Sequence, residues 1–394
     1  MPRKRLLRLA ATLGAVALVA TACGGGDETD GGSTAAAGNP PDIPAATAVG
    51  DGEGAVNILA WPGYAEKSWV KPFEEETGCK AKVTYFPTSD EAVTLMKTGQ
   101  YDVVSASGDA SLRLIYGGDV APVNTDLVPN YADIFDGLKD QSWNTVNGVN
   151  YGIPHGRGAN LVQWRSDIVK PAPTAWSDIF DPNSPYAGKI TGYDSPIYIA
   201  DAAVYLMETQ PDLGITDPYS LDQTQFDAAI AALEAQEPIL ANYWSDYNQQ
   251  IQDFVKGDVV LGWSWQVNAN YAALDAPIKT IKPSDGATGW SDTWMISSQA
   301  EHPNCAYLWM DHIVSPQANA DVAEFFGEAP ANEKSCALTA DKDHCDVFHA
   351  TEEDYWTNVY YWNTPRKECL DGRTDVVCKD YSEWVTAWTN LRGA

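Results

Sequence analysis

Residues 55–104 read AVNILAWPGYAEKSWVKPFEEETGCKAKVTYFPTSDEAVTLMKTGQYDVV, and the alternation inside this stretch decides the fold. Residues 55–60 make an apolar run of the length of one buried strand. A helix follows over 69–77 and stops at Gly78. A second strand covers 81–86, a second helix 91–97 ends at Gly99, and a third strand covers 101–104. The next helix, 111–116, is halted by Gly117-Gly118. Strands that alternate with helices need crossover connections, which implies parallel pairing and an α/β sheet. The pattern loosens over 126–150. It resumes with strands at 161–164, 189–191, 259–263, 278–281 and 293–296, and helices at 200–208, 223–235, 249–256 and 306–313. A terminal amphipathic helix over 383–391 carries Trp384 and Trp388 one turn apart, a spacing read as core packing rather than a ligand box.

Ahead of this region the chain opens with Arg3, Lys4, Arg5 and Arg8, then an apolar run to Ala20, then Thr21-Ala22-Cys23. A basic head, a short apolar stretch and small residues before a cleavage point make a secretory signal. The run falls short of the roughly 20 residues that a membrane-spanning helix needs. Ala20-Thr21-Ala22-Cys23 resembles the lipobox of bacterial lipoproteins, with Ala20 where Leu is commoner. The resemblance implies a signal peptide over 1–22 and lipidation of Cys23. Two or more acyl chains give a stable anchor. The mature protein is thus expected outside the cytoplasm, lipid-anchored to the outer face of a bacterial membrane, in a periplasm or on a cell surface. Residues 24–54 hold almost no large apolar side chains and much Gly, Ala, Thr, Pro and Asp. Such a composition reads as a flexible linker over 23–54, stiffened by Pro40, Pro41 and Pro44, with folding expected to begin near Ala55.

The remaining residues, 55–394, are too many for one small core and fit two lobes. Loss of the signal leaves 21 basic against 54 acidic side chains, a net charge of −33. That surface repels nucleic acid and anionic lipid and gathers cations. The 15 Trp and 19 Tyr supply rigid faces for apolar or cationic ligands. Beyond Cys23 there are Cys79, Cys305, Cys336, Cys345, Cys369 and Cys378, an even set that suggests disulfides in an exported chain. Cys336/Cys345 and Cys369/Cys378 each bracket a polar, loop-like segment, which leaves Cys79 to join Cys305. Zinc is the rival reading, but no Cys-x-x-Cys or close Cys/His quartet is present, so neither metal nor cofactor is expected.

Several segments carry a family resemblance. Val56-Asn-Ile-Leu-Ala-Trp-Pro-Gly-Tyr64 followed by Phe73-Glu-Glu-Glu-Thr-Gly78 resembles the opening of the spermidine/putrescine-binding proteins of polyamine ABC transporters. Tyr101-Asp-Val-Val-Ser-Ala-Ser107 resembles their third strand and loop, and Tyr151-Gly-Ile-Pro154 their crossing into a second lobe. Thr174-Ala-Trp-Ser-Asp-Ile-Phe180, Tyr186-Ala-Gly-Lys189, Lys256-Gly-Asp-Val-Val-Leu-Gly262 and Gly289-Trp-Ser-Asp292 continue in order, so that about residues 55–333 are covered. The resemblance implies a two-lobed, type II-like periplasmic-binding-protein fold with ligand held in a hinged cleft. Lobe 1 would comprise 55–153, lobe 2 would comprise 154–285, and 286–394 would return to lobe 1 with a Cys-rich elaboration. The implied function is that of a monomeric solute-binding protein of an ABC importer, which carries a small amine such as spermidine or putrescine to a membrane permease.

In open α/β sheets ligands bind beyond the carboxyl ends of strands. Trp61 and Tyr64 lie there as a candidate wall, and Ser107 and Asp109 as candidate partners for an ammonium group. A core anchor is the alternative reading of Trp61, whose loop position favours ligand contact, and Asp109 reads equally as a helix N-cap. Trp263 follows an apolar strand, with Gln266 where the family carries an acid or Asn. Trp290 and Asp292 lie at the return crossing, and Asp292 is the best single carboxylate for an amine. Asp194 survives from the family's acidic segment, whereas Tyr198 stands where a Glu is usual. Arg157 replaces a family aromatic. It would pair with a ligand carboxylate or, alternatively, with the acidic surface. A linear diamine needs an acid at each end, because an unpaired buried ammonium is costly. Fewer acids and more aromatics therefore favour a monocationic, quaternary or zwitterionic amine held by cation–π contact. Three alternatives stand beside this reading. Tyr360-Tyr361 resembles the tyrosine pair of ferric-ion-binding relatives, Trp-rich clefts suit sugars, and an acid pair suits a secreted glycosidase. No nucleophile motif, phosphate loop or His-based metal motif supports an enzyme.

Overall fold

The computed structural model describes residues 38–393; the signal peptide and Cys23 lie outside them. The first lobe is built on a five-stranded sheet in the order Lys80–Tyr85, Ala55–Ala60, Val103–Ala106, Thr293–Ile296, Ile153–Pro154. Ala55–Ala60 pairs in parallel with Lys80–Tyr85 from Ala55↔Lys80 to Ala60↔Tyr85, and in parallel with Val103–Ala106 on its other side. The crossovers are the helices Lys67–Thr77 and Ser89–Met96. The first ends on Gly78, whose φ of 74° closes it in the left-handed conformation that glycine adopts without a Cβ penalty. Val56, Ile58 and Ala60 bury one face of the sheet against Trp69, Phe73 and Trp309, and Leu59 and Val104 bury the other. Thr293–Ile296 returns antiparallel to Val103–Ala106, as its distance along the chain permits.

The second lobe is framed by the ten-residue strand Gly156–Arg165. Leu261–Trp265, Ile278–Ile281, Ala287–Trp290 and Ala329–Pro330 all pair with it, antiparallel. Ile190–Tyr193 and Leu240–Trp244 extend the sheet in parallel beyond Leu261–Trp265. The chain crosses between lobes at His155, at Ser291-Asp292 and at Gly327-Glu328, each between a first-lobe element and a strand of the second sheet.

Three expectations on organisation are corrected. Residues 38–54 are not a free spacer: Glu53 accepts from the backbone of Asn304 and Cys305, Asn124 donates to Ala46, and Ala46 and Val49 pack on the first core. The second lobe extends past 285, because Ala287–Trp290 belongs to its sheet. Residues 286–394 do not return wholly to lobe 1. Helices Pro303–Ile313 and Pro316–Phe326 do so, but the strand Val359–Tyr361 joins Ala287–Trp290, and Trp384 and Trp388 fill the second core.

The tail also reaches back to the first lobe. Thr364 Oγ1 accepts from Leu112 N and donates to the carbonyl of Gly108. Gly108 is required for this approach: a Cβ there would stand 1.7 Å from the Trp362 carbonyl oxygen. Arg366 lies over Tyr116 at 3.3 Å and Arg113 over Tyr381 at 4.0 Å, cation–π contacts that add to the strap.

All three expected disulfides are formed, Cys79–Cys305, Cys336–Cys345 and Cys369–Cys378. The first closes a loop of 226 residues and the others loops of 9. Chain-entropy arguments make the long loop the most stabilising. Non-reducing peptide mapping should return these three pairs. The double variant Cys79→Ala/Cys305→Ala should lose about 2–5 kcal/mol in denaturant unfolding, more than either tail bridge; a smaller loss than for the tail bridges would contradict the assignment.

Candidate functional site

The candidate site lies where the crossings meet the carboxyl ends of the first sheet. Asp292 occupies the second crossing, 4% exposed. Tyr64, on the loop after Ala55–Ala60, is fully buried and donates from its hydroxyl to Asp292 Oδ2 at 2.9 Å. The same phenol oxygen stands 3.2 Å from Glu328 Oε2 of the third crossing. Its ring packs 4.0 Å from that of His155 and 4.5 Å from that of Phe326, centroid to centroid. Ser107 precedes the helix Gly108–Gly117 and accepts from Trp61 Nε1 at 3.1 Å. Asp109, in that helix's first turn, accepts from Ser89 Oγ at 2.9 Å and does not cap the helix. Trp61, Tyr64, Ser107, Asp109 and Asp292 are therefore brought together.

Facing them, the second lobe supplies a stack of aromatic rings. Tyr193 lies 4.5 Å from Trp263, with planes 9° apart. Trp362, from the tail, continues the stack at 6.1 Å and 13°. Trp265 meets Tyr193 edge-on at 5.5 Å. Behind them Asp201, buried in the helix Ile199–Thr209, accepts from Trp263 Nε1 and Thr288 Oγ1.

The electrostatics are those of acids withdrawn from water, with Arg113 beside Asp109. Burial pushes the Asp292 carboxyl up to about 7, with the Ser107 and Tyr64 hydroxyls acting the other way. Burial likewise lifts Asp201 to about 7. It lifts Asp109 to about 6, although Arg113 opposes the shift. Tyr193 is raised by burial and then by the charges of Asp109, Asp292, Asp194 and Asp201, which places it among acids of both lobes. Buried polar atoms are nearly always hydrogen-bonded. Here Asp292 Oδ1, Asp201 Oδ2 and the indole nitrogens of Trp290 and Trp362 have no partner among the described residues. Two free carboxylate oxygens beside aromatic faces are what an ammonium group would satisfy.

Other candidates lie elsewhere. Trp263 is fully buried behind Tyr193 and anchors Asp201 rather than forming a cleft face. Tyr198 is a core residue whose hydroxyl bonds Gln236. Asp194 is held by Trp388 Nε1 and Arg392 of the terminal helix. Arg157 is 1% exposed and committed to Glu353 at 2.8 Å and the Ala350 carbonyl, with its guanidinium 4.2 Å over Trp356. Its pairing with the protein's own acid replaces the expected pairing with a ligand carboxylate. Gln266 opens the helix Gln266–Ala272 and accepts from Thr280 at the edge of a side cavity of about 360 Å³. Trp290 lies against Gly158, where a Cβ would come within 2.4 Å of its ring. Tyr360 and Tyr361, adjacent in a strand, face opposite ways, Tyr360 to the second core and Tyr361 to Trp143 and Trp356. They do not form a pair on one ion.

Sequence reasoning missed Glu328, His155, Tyr193, Asp201, Trp265 and Trp362. Asp201 carried a signal, a lone acid within Ile199-Ala-Asp-Ala-Ala-Val204. Glu328 carried a weaker one, an acid between Phe325-Phe326-Gly327 and Ala329-Pro330. Trp362 carried none, because its place depends on the tail's path.

Two α/β lobes joined by three crossings, with an acidic, aromatic cleft at the junction, define a solute-binding protein of the periplasmic type. Residues 68–344 match the family described as bacterial extracellular solute-binding protein, and the chain belongs to that family. It is similar to the spermidine/putrescine-binding periplasmic protein of Escherichia coli (strain K12), 24% identical over 277 residues, 69% of this chain and 76% of that protein. Among solved structures it resembles the spermidine/putrescine ABC transporter substrate-binding protein of Streptococcus pneumoniae, with a TM-score of 0.68 at 17% identity over 86% of this chain and 97% of that one. It also resembles a lipoprotein of Treponema pallidum, with a TM-score of 0.66 at 16% identity over 86% and 100% of the two chains.

The raised carboxyls set a sign for stability against pH. An acid whose folded pKa lies above its unfolded value binds more protons when folded, so its contribution is fully present below about pH 4 and is lost as pH rises through about 7. The unliganded protein should lose thermal stability across that window. Asp292→Asn, which removes one such group, should lose less than the parent; identical slopes for the two proteins would refute the placement of a buried, raised Asp292.

Proposed function

We propose that the protein is the extracytoplasmic receptor of an ABC importer, that it binds a small amine-bearing solute through Asp292, and that it passes this solute to a membrane permease. The observation that carries the reading is the unpartnered Oδ1 of Asp292, buried beside Ser107 and Asp109 and near the ring of Tyr193. A carboxylate in that position costs free energy unless a cation meets it. Relatives named for spermidine and putrescine support the amine class. The ligand proposed here is compact and singly charged. Tyr198 and Asp194 are engaged elsewhere, so the acid that a second ammonium would need is not supplied at their positions. Arg157 is likewise engaged, which removes the support for a zwitterion. Sugars remain a second reading, favoured by the free indole N–H groups of Trp290 and Trp362.

Calorimetric titration with polyamines, quaternary amines, amino acids and sugars decides among these. A monoamine or quaternary amine should compete at least as well as spermidine. Asp292→Asn should weaken binding by about 1.5–3 kcal/mol, the scale of a hydrogen bond to a charged group, with the fold intact. Binding should release a proton near pH 6–7, because the ammonium ionises Asp292, and affinity should rise from pH 5 to pH 8. Binding of neutral sugars alone, or normal binding by Asp292→Asn, defeats the amine reading.

We also propose that Cys23 anchors the mature chain through lipid; the likeness to a lipoprotein supports this. Cys23→Ser should move the protein from the membrane fraction to the soluble one. Retention in the membrane would overturn the anchor.

A further inference from the structure

Behind Asp292 lies a line of buried groups that the cleft itself does not use. Trp294 Nε1 donates to His155 Nδ1 at 2.9 Å. His155 Nε2 and Glu328 Oε1 stand 3.3 Å apart without a hydrogen bond between them, and neither has a partner among the described residues. Glu328 Oε2 is 3.2 Å from the Tyr64 hydroxyl, which is 2.9 Å from Asp292 Oδ2. His155, Tyr64 and Glu328 are fully buried. The line gathers one residue from each of the three crossings, plus Tyr64 of the first lobe.

Counting protons fixes its state. A tyrosine hydroxyl has one proton to give, and two carboxyl oxygens flank it. One of the two acids must therefore donate to it or leave an acceptor facing an acceptor. His155 cannot supply the balance as a cation, because imidazolium needs a proton on both nitrogens and Nδ1 already accepts from Trp294. It is a neutral Nε2–H tautomer aimed at Glu328. Burial also holds the imidazole far below its usual range, at about 3. Of the two acids, Asp292 faces Ser107 and the cleft, whereas Glu328 is enclosed by Tyr64, His155 and Gly156. A Cβ on Gly156 would lie 2.5 Å from the Glu328 carboxyl carbon. The one further titratable group bonded to this residue, His344, meets its backbone carbonyl and not its carboxyl. Burial and the charge of Asp292 drive Glu328 well above the carboxylate range.

We propose that Glu328 is a positioning residue that acts as a neutral acid. Its proton is donated to the Tyr64 oxygen, so that Tyr64 must donate to Asp292 Oδ2 and orient that carboxyl for the ligand. The chain of donors then runs one way, from Glu328 through Tyr64 to Asp292, and leaves Asp292 Oδ1 without a partner toward the cleft. The inference rests on the reading of Asp292 as the ammonium acceptor.

The test compares Glu328→Gln and Glu328→Ala with the parent by calorimetric titration with a quaternary amine and with spermidine, from pH 5 to pH 9. An amide copies a protonated acid, since its NH₂ donates to Tyr64 as the carboxyl O–H does. Glu328→Gln should bind within threefold of the parent at every pH, while Glu328→Ala should bind at least tenfold more weakly. A ligand-independent readout accompanies it: the infrared carbonyl band of a protonated carboxyl should be present in the parent at pH 8 and absent in Glu328→Gln. If Glu328→Gln weakens binding tenfold or more, or the band is missing at pH 8, Glu328 is ionised and the proposal is overturned. If the parent binds no amine, the reading of Asp292 fails, and the infrared comparison still decides the protonation of Glu328.

Discussion

The rest of the site depends on the hydrogen bond from Tyr64 to Asp292, made in a place with little water and no neighbouring cation. A carboxylate in such a place is expensive, and several kcal/mol of desolvation separate it from one at the surface. The protein meets part of that cost with hydroxyl donors. It leaves the remainder unmet at Oδ1. A site left short in this way binds its cation more tightly than a solvated acid does, because the ligand removes a penalty as well as making a contact. The three crossings converge on this point, so the groups proposed to receive the ligand also join the lobes.

The tail changes what kind of cleft this is. In the first 330 residues the lobes are linked only by crossings. Residues 359–366 then add a strand to the second sheet, send Trp362 into the aromatic stack and bind Thr364 to the first helix turn beyond Val103–Ala106. Arg373 returns the chain to the second lobe through Asp222 and the Ser220 carbonyl. Such a strap ties the lobes together outside the crossings and sets an indole against Tyr193. Its two small disulfides hold excursions that have little core of their own.

Much of the fold was legible because alternation and glycine stops are local signals. The strand at 55–60 and the helix end at Gly78 lie where the sequence places them, as do all three disulfides, while the strand expected at 101–104 is shifted two residues on, to Val103–Ala106. Legibility failed where burial depends on distant chain. Trp263 looked like a cleft residue because of its apolar strand and Tyr198 because of its place in the family's acidic segment, but Tyr193 and the terminal helix cover them. Arg157 looked free because Glu353, its partner, lies 196 residues on. Residues 38–54 looked like linker because their few apolar side chains, Ala46 and Val49, are enough to dock on a surface but not to form a core.

The acidic exterior and the acids inside act on different quantities. A net charge of −29 concentrates every cation near the surface and speeds encounter, an effect that salt screens and that does not tell one amine from another. Discrimination has to arise where screening is absent. There the count of unpaired acceptors, not the sum of charge, sets the cost of each candidate. A ligand with one ammonium group leaves no second charge stranded among the rings of Tyr193, Trp265 and Trp362, whereas a diamine must place its far end against aromatic faces or displace a group already paired. Cation–π attraction at a desolvated ring, about 2 kcal/mol, is smaller than the cost of burying an unpaired ammonium. The aromatic wall can therefore steady a charge that Asp292 already neutralises, but it cannot replace a missing carboxylate.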